Sequence, residues 1–146
     1  MITDKLTIFG DREDVTNICD LLSKCGCHLE SEAKDTVLYV SEVPDNTAYP
    51  ESVCVVLPHE LRERVSGGRI TTYSEKDSNA DVTLLNLQKS ETAICFEVLC
   101  GASMSRVFVP YGKGYTCLQV LAGISVLCAW GVSALDAVSK INSILK

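Results

Sequence analysis

Two hydrophobic periods divide this chain, a mixed strand and helix pattern up to Tyr73 and a strand-rich block after it. Residues 5–10 (KLTIFG) form an apolar run ending in glycine, suited to a buried strand. From Asp11 the period turns helical. Val15, Ile18, Cys19, Leu22 and Cys25 fall on one face of a helix predicted over 13–24. Asp11 is its expected N-cap, Asp14 follows three residues on, and Gly26 is a natural stop. Residues 27–30 (CHLE) lead into a charged loop, and residues 36–41 (TVLYVS) read as a second buried strand. The opening is therefore β-α-β, a parallel and right-handed unit. Residues 44–52, with Pro44, Asp45, Asn46 and Pro50, read as a polar loop. A third strand is expected at 52–57 (SVCVVL). Pro58 then opens a helix over 59–65, closed by 66–68 (SGG), and 69–73 (RITTY) is a fourth strand.

Residues 81–87, 93–99 and 106–110 are three further strands joined by hairpin-length links, which predicts an antiparallel block. Two helices finish the chain. The first, over about 116–130, is apolar nearly all round and carries Ala122, Gly123 and Ser125, so it should be buried against close neighbours. Gly131 breaks it. Ser133 and Asp136 open the second, with Leu135, Val138, Ile141 and Leu145 as its expected inward stripe and Lys140 and Lys146 towards its end. The fold class is α/β: a three-layer, sandwich-like parallel sheet with helices, then an antiparallel three-stranded block and two C-terminal helices. One domain over residues 1–146 is expected, with no repeat or linker.

Composition narrows the functions. With 146 residues and 47% hydrophobic content, one real core is expected. The net charge of −6 argues against a nucleic-acid partner. The start, MITD, does not resemble a signal peptide, and the apolar stretch 120–132 is too short for a bilayer, so no membrane partner is expected. Eight cysteines stand at 19, 25, 27, 54, 95, 100, 117 and 128, mostly at apolar positions. Reduced thiols packed as small hydrophobes are the expectation. Cys25 and Cys27 are the only close pair, and Cys95 with Cys100 is poorly spaced as a second, so no metal centre is expected.

The first turn at Gly10 is where an α/β protein would bind phosphate on helix N–H groups. Here it offers Asp11, Glu13 and Asp14, with no lysine. Those carboxylates either hold a divalent cation or simply complement the helix dipole. Gly112, Lys113 and Gly114 form either a phosphate-binding turn or a structural one, with Lys113 the best basic residue for an anion. His59 follows Pro58 at a strand end, where α/β ligands gather, and Ser41 and Glu42 share that edge. His28 reads as a loop residue. No G-x-S-x-G elbow exists, and no motif supports a Cys54–His59 pair.

The order of segments resembles the central ATP-binding domain of the Mur ligases, which build the peptidoglycan peptide. The resemblance rests on residues 70–74 (ITTYS) and 79–82 (NADV), the hairpin at 96–98 (FEV), Val109, Pro110 and Gly112, and the helix pair split by 131–133 (GVS). In the family these positions carry "TYG…ADV" and then "G-x-H-N-x-x-N-x-L-A-A". The first half fits more loosely. Phe9 and Gly10 fall at the family's "TGTNGKTT", 36–41 at a strand with a magnesium-binding Glu, and 53–59 at "VITN…DH".

Departures from that pattern shape the functional expectation. Six residues after Gly10 read DREDVT, without the phosphate-loop glycines and lysine, and Thr16 is the one remnant. The Glu position holds Tyr39 or Val40, with Glu42 just beyond. Tyr115, Thr116 and Gln119 stand at the His and Asn positions, and Gln119 keeps an amide for an adenine. His59 matches the family His. Two flanking domains and the segment bearing the carbamylated lysine have no counterpart. The resemblance thus implies a cytoplasmic, non-catalytic pseudoenzyme that binds a partner protein, a second copy or a small ligand in a cell-wall context. The alternative is a nucleotide-binding protein or ligase component with a rebuilt site of Lys113, Gln119, His59, Glu42 and Thr16. No cofactor is demanded, and ATP, another nucleotide or a UDP-sugar is the ligand class the resemblance suggests.

Overall fold

The computed structural model describes residues 5–26 and 34–146. Strands β1 (Leu6–Phe9), β2 (Thr36–Tyr39), β3 (Thr47–Pro58), β4 (Val65–Ser74), β5 (Val82–Lys89), β6 (Ala93–Cys100) and β7 (Ser103–Pro110) form one sheet in sequential order. Neighbours from β1 to β5 are parallel, and β5, β6 and β7 are antiparallel. The switch from a parallel to an antiparallel block after Tyr73 stands as the sequence predicts. β5 meets β4 only through Tyr73 with Val82 and Ser74 with Thr83, so the antiparallel block projects beyond the parallel strands.

Helices α1 (Arg12–Lys24), α2 (Cys117–Ala129) and α3 (Ala134–Leu145) line one face of the sheet. Period-2 alternation decides which side chains they cover. Leu38, Val40, Val56, Tyr73, Phe96, Val98, Val107 and Val109 join Ile18, Leu21, Leu121, Ile124 and Ile141 in the main core. Tyr39, Val55 and Leu57 point the other way into a small second core with Val43 and Val65. A 3₁₀ helix (His59–Arg64) supplies Leu61 to that core and forms a thin third layer.

Nearly all of α2 is buried, and Gly123 lets it approach α1, where a Cβ would meet Leu21 Cδ2 at 3.2 Å. Trp130 ends the helix and donates from Nε1 to Thr36 Oγ1 at 2.7 Å, tying α2 to β2.

Four local expectations change. The segment expected as a polar loop over 44–52 enters β3 at Thr47, because residues 47–49 pair with 65–67 before a bulge. The expected helix over 59–65 is the 3₁₀ helix His59–Arg64, which has no side-chain cap at its start. Residues 66–68 do not close a helix but lie within β4. There Gly67 has φ +73°, and a Cβ would sit 2.1 Å from the Tyr49 carbonyl oxygen, so the bulge requires glycine. Leu135 is 61% exposed, and the inward stripe of α3 is Ala134, Ala137, Val138, Ile141 and Leu145. The readings of Cys27 and His28 lie outside the described residues. The other seven cysteines are unbridged.

Candidate functional site

The carboxyl ends of β1 and β2 form the floor of a cavity of about 970 Å³. Phe9 and Tyr39 are register partners, and their rings stack with centroids 5.1 Å apart and planes 17° from parallel. Phe9 remains 48% exposed, so one ring face is open. The Tyr39 hydroxyl shares a short hydrogen bond with Tyr49. Burial first, and that bond second, push the Tyr39 hydroxyl well above its ordinary pKa, so it stays protonated. Arg64 closes one wall, donating to the Val43 carbonyl at 2.9 Å and pairing with Asp45 at 3.4 Å. Asp11, Ser41 and Glu42 line the rim.

The turn between β1 and α1 borders this cavity. Asp11 caps α1, its Oδ1 accepting from the Asp14 N–H at 2.8 Å. Asp14 is half-buried and accepts from Gln119 Nε2 at 2.9 Å. A side-chain carboxylate thus takes a helix N-terminal donor that a bound phosphate would use. Glu13 is exposed beside it. The residues present do not fit a nucleoside triphosphate and its magnesium: this turn offers no lysine and already holds its own anion.

A second cavity of about 420 Å³ lies between the ends of β2 and β4 and the start of α2, touching Tyr73, Ser74, Lys76 and Leu118. Ser41 borders both cavities. Ser74 is buried. It donates to Glu60 at 2.7 Å and accepts from the Lys76 and Asp77 N–H groups, which shapes the turn leaving β4. Tyr73 is buried too, its hydroxyl donating to the Tyr39 carbonyl at 2.6 Å.

The five residues expected of a rebuilt site are spread out. Glu42 lines the larger cavity and is exposed. Thr16 is exposed on α1, and Lys113 is exposed in the short 3₁₀ turn after β7. His59 meets Thr72 Oγ1 at 3.2 Å and Asp77 at 3.7 Å, and Thr72 in turn binds Asp81, so this group pins the link from β4 to β5. Gln119 is buried. Its Oε1 accepts from Thr116 N–H and Asn17 Nδ2, both at 3.0 Å, and its Nε2 donates to Asp14. Both ends of that amide are therefore used in clamping α2 to α1. Neither cavity brings two of these five together. Motif and spacing pointed past Phe9, Tyr39 and Arg64. The signal that could have found the first two was strand alternation, which turns Phe9 and Tyr39 away from the helices at two adjacent strand ends.

No family model matches the chain, and no curated protein does. Solved structures do match. A MurF crystal structure from Acinetobacter baumannii aligns with a TM-score of 0.62 at 12% identity, over 94% of this chain and 46% of that one. The UDP-N-acetylmuramoylalanyl-D-glutamyl-2,6-diaminopimelate–D-alanyl-D-alanyl ligase of the same organism aligns at 0.55 and 16% identity, over 73% of this chain and 28% of that one. A UDP-N-acetylmuramoyl-L-alanyl-D-glutamate–2,6-diaminopimelate ligase aligns at 0.53 and 14%, over 84% and 31%. The chain spans less than half the length of each of these structures. At such identities the likeness is one of fold, and on that ground the chain has a Mur ligase-like fold, as the segment order in its sequence implies.

Proposed function

We propose that this chain is a non-catalytic Mur-ligase-like domain that takes a small cell-wall ligand, bound by its sugar or peptide part, in the cavity floored by Phe9 and Tyr39. One observation carries the reading: the Asp11 carboxylate occupies a donor at the start of α1, where the fold would otherwise seat a phosphate. Asp11, Glu42 and Asp45 on the cavity rim disfavour a nucleotide's phosphates. The open face of Phe9 suits a sugar ring or an apolar side chain.

Thermal-shift titrations with ATP·Mg, ADP and an N-acetylmuramoyl peptide test this. The nucleotides leave the melting temperature unchanged. The muramoyl peptide raises it, by about 2.7 kcal/mol of stabilisation at a hundredfold excess over Kd, and Phe9→Ala removes the shift. Stabilisation by ATP·Mg, or ATP hydrolysis abolished by a point substitution in this chain, overturns the proposal. Silence with all three compounds overturns its ligand half and favours a protein partner.

A further inference from the structure

Alternation along β5, β6 and β7 sends Leu84, Phe96, Val98, Val107 and Val109 into the main core. The side chains between them stand on the opposite face, away from the helices. Register pairs Leu99 with Met104, Glu97 with Arg106 and Cys95 with Phe108 on that face, and Leu85 lies across from Glu97. Met104 is 48% and Phe108 51% exposed. Of the six large exposed apolar side chains among the described residues, Leu87, Met104, Phe108 and Tyr111 all belong to this block or follow it directly. Such clustering marks an interaction surface.

The β7 edge of the sheet is partly occupied by α3. Asn142 of α3 accepts from the Phe108 N–H at 3.2 Å and donates to the Arg106 carbonyl at 2.9 Å, as a neighbouring strand would. At β7 a partner is therefore steered to the face.

Charge selects the partner. The chain carries a net −6, which opposes self-association over most of its surface. This face instead presents one glutamate and one arginine, side by side in register, flanked by Leu85, Leu99, Met104 and Phe108 and, along β5, by the uncharged Asn86 and Gln88. Glu97 accepts from Asn86 Nδ2 at 3.0 Å, while no hydrogen bond or ion pair reaches the Arg106 guanidinium among the described residues. A two-fold axis between the two positions sets each Arg106 against the Glu97 of the other copy, which is the self-complementarity an isologous dimer needs. An acidic partner of another kind would satisfy Arg106 and leave Glu97 facing its own sign.

We propose that the open face of β5, β6 and β7 is a homodimer interface, packed through Leu99, Met104 and Phe108 and oriented by reciprocal Arg106–Glu97 pairs between copies. The inference is independent of the ligand reading, since this face shares no residue with either cavity.

Sedimentation velocity over a concentration series tests it with two variants, Arg106→Glu and Glu97→Arg, each checked for fold by circular dichroism. The unmodified chain sediments as a dimer. Each variant alone sets like charges against each other in the interface and dissociates, with Kd raised at least about tenfold. Mixed in equal amounts, the two variants form a heterodimer, because every cross-pair is then of opposite sign. An ion pair confined within one chain would not produce that rescue. A monomer at every concentration, or a dimer indifferent to both variants, or two dissociated variants that fail to pair on mixing, overturns the proposal.

Discussion

Gln119 shows how many contacts one buried side chain can carry. Its place at the start of α2 keeps an amide where the family has an asparagine, which reads as an adenine contact. In the structure the amide completes a capping box with Thr116 and bridges to Asn17 and Asp14 on α1. Gln119→Ala removes three side-chain hydrogen bonds at a buried position and leaves Asp14 with an unmet acceptor. It is expected to cost about 1–3 kcal/mol in urea denaturation and to leave binding at the Phe9 cavity unchanged. Tyr115 acts similarly. Its hydroxyl donates to Asp20 and accepts from Lys24 at 3.2 Å, with Lys24 over its ring, so the position clamps α1. The Tyr115 bond, then Lys24, hold the Asp20 carboxyl below its usual range.

At the scale of elements, α3 separates what pattern can tell from what packing decides. A stripe through Leu135 looks regular in the sequence, yet Ala134 and Ala137 take the inward face, because small residues let α3 lie close to the core while Leu135 turns to solvent. Leu135→Lys is expected to change stability by under about 0.5 kcal/mol, whereas Ile141→Ala, at a fully buried site, costs about 2–4 kcal/mol. Chemical denaturation of both variants checks the assignment. The helical layer also carries a pH response. Burial raises the Cys25 thiol to about 11 and the Cys128 thiol, beside Cys100, to about 12. An acid whose folded pKa is raised keeps its proton longer folded than unfolded, so stability is intact below the unfolded value, near 9, and is lost as pH rises towards those folded values. The urea midpoint should fall between pH 9 and about 11, and Cys128→Ala should lessen the fall. At pH 8 both thiols should react with a disulfide reagent far more slowly than a free cysteine.

For the whole molecule, the succession of strands along the chain and the change to an antiparallel block were legible, because each apolar run is bounded by its own glycine, proline or polar turn. The β1–α1–β2 unit follows from residues 5–26 with 36–41, the three-stranded block from 81–110 and the two closing helices from 116–145. Missed were the start of β3 and the fate of Gly67 and Gly68. Thr47 joins the sheet only because Val65 is beside it, and that pairing has no local signal. Of the candidate site, the acidic turn at Asp11 was legible in the sequence and the stacked floor of Phe9 and Tyr39 was not.

Local physics determined what the sequence could determine by itself: the caps at Asp11 and Ser133, the periods of strands and helices, and the acidic turn that opens α1. Each depends on residues within a few positions of one another. Tertiary structure alone decided that Phe9 meets Tyr39, that Gln119 is used up between two helices, and that Met104, Arg106 and Phe108 share an uncovered face. Those outcomes depend on which strand lies beside which and on which side each register turns. Contacts between residues thirty or a hundred positions apart set the first two, and the side of the sheet that the helices cover sets the third.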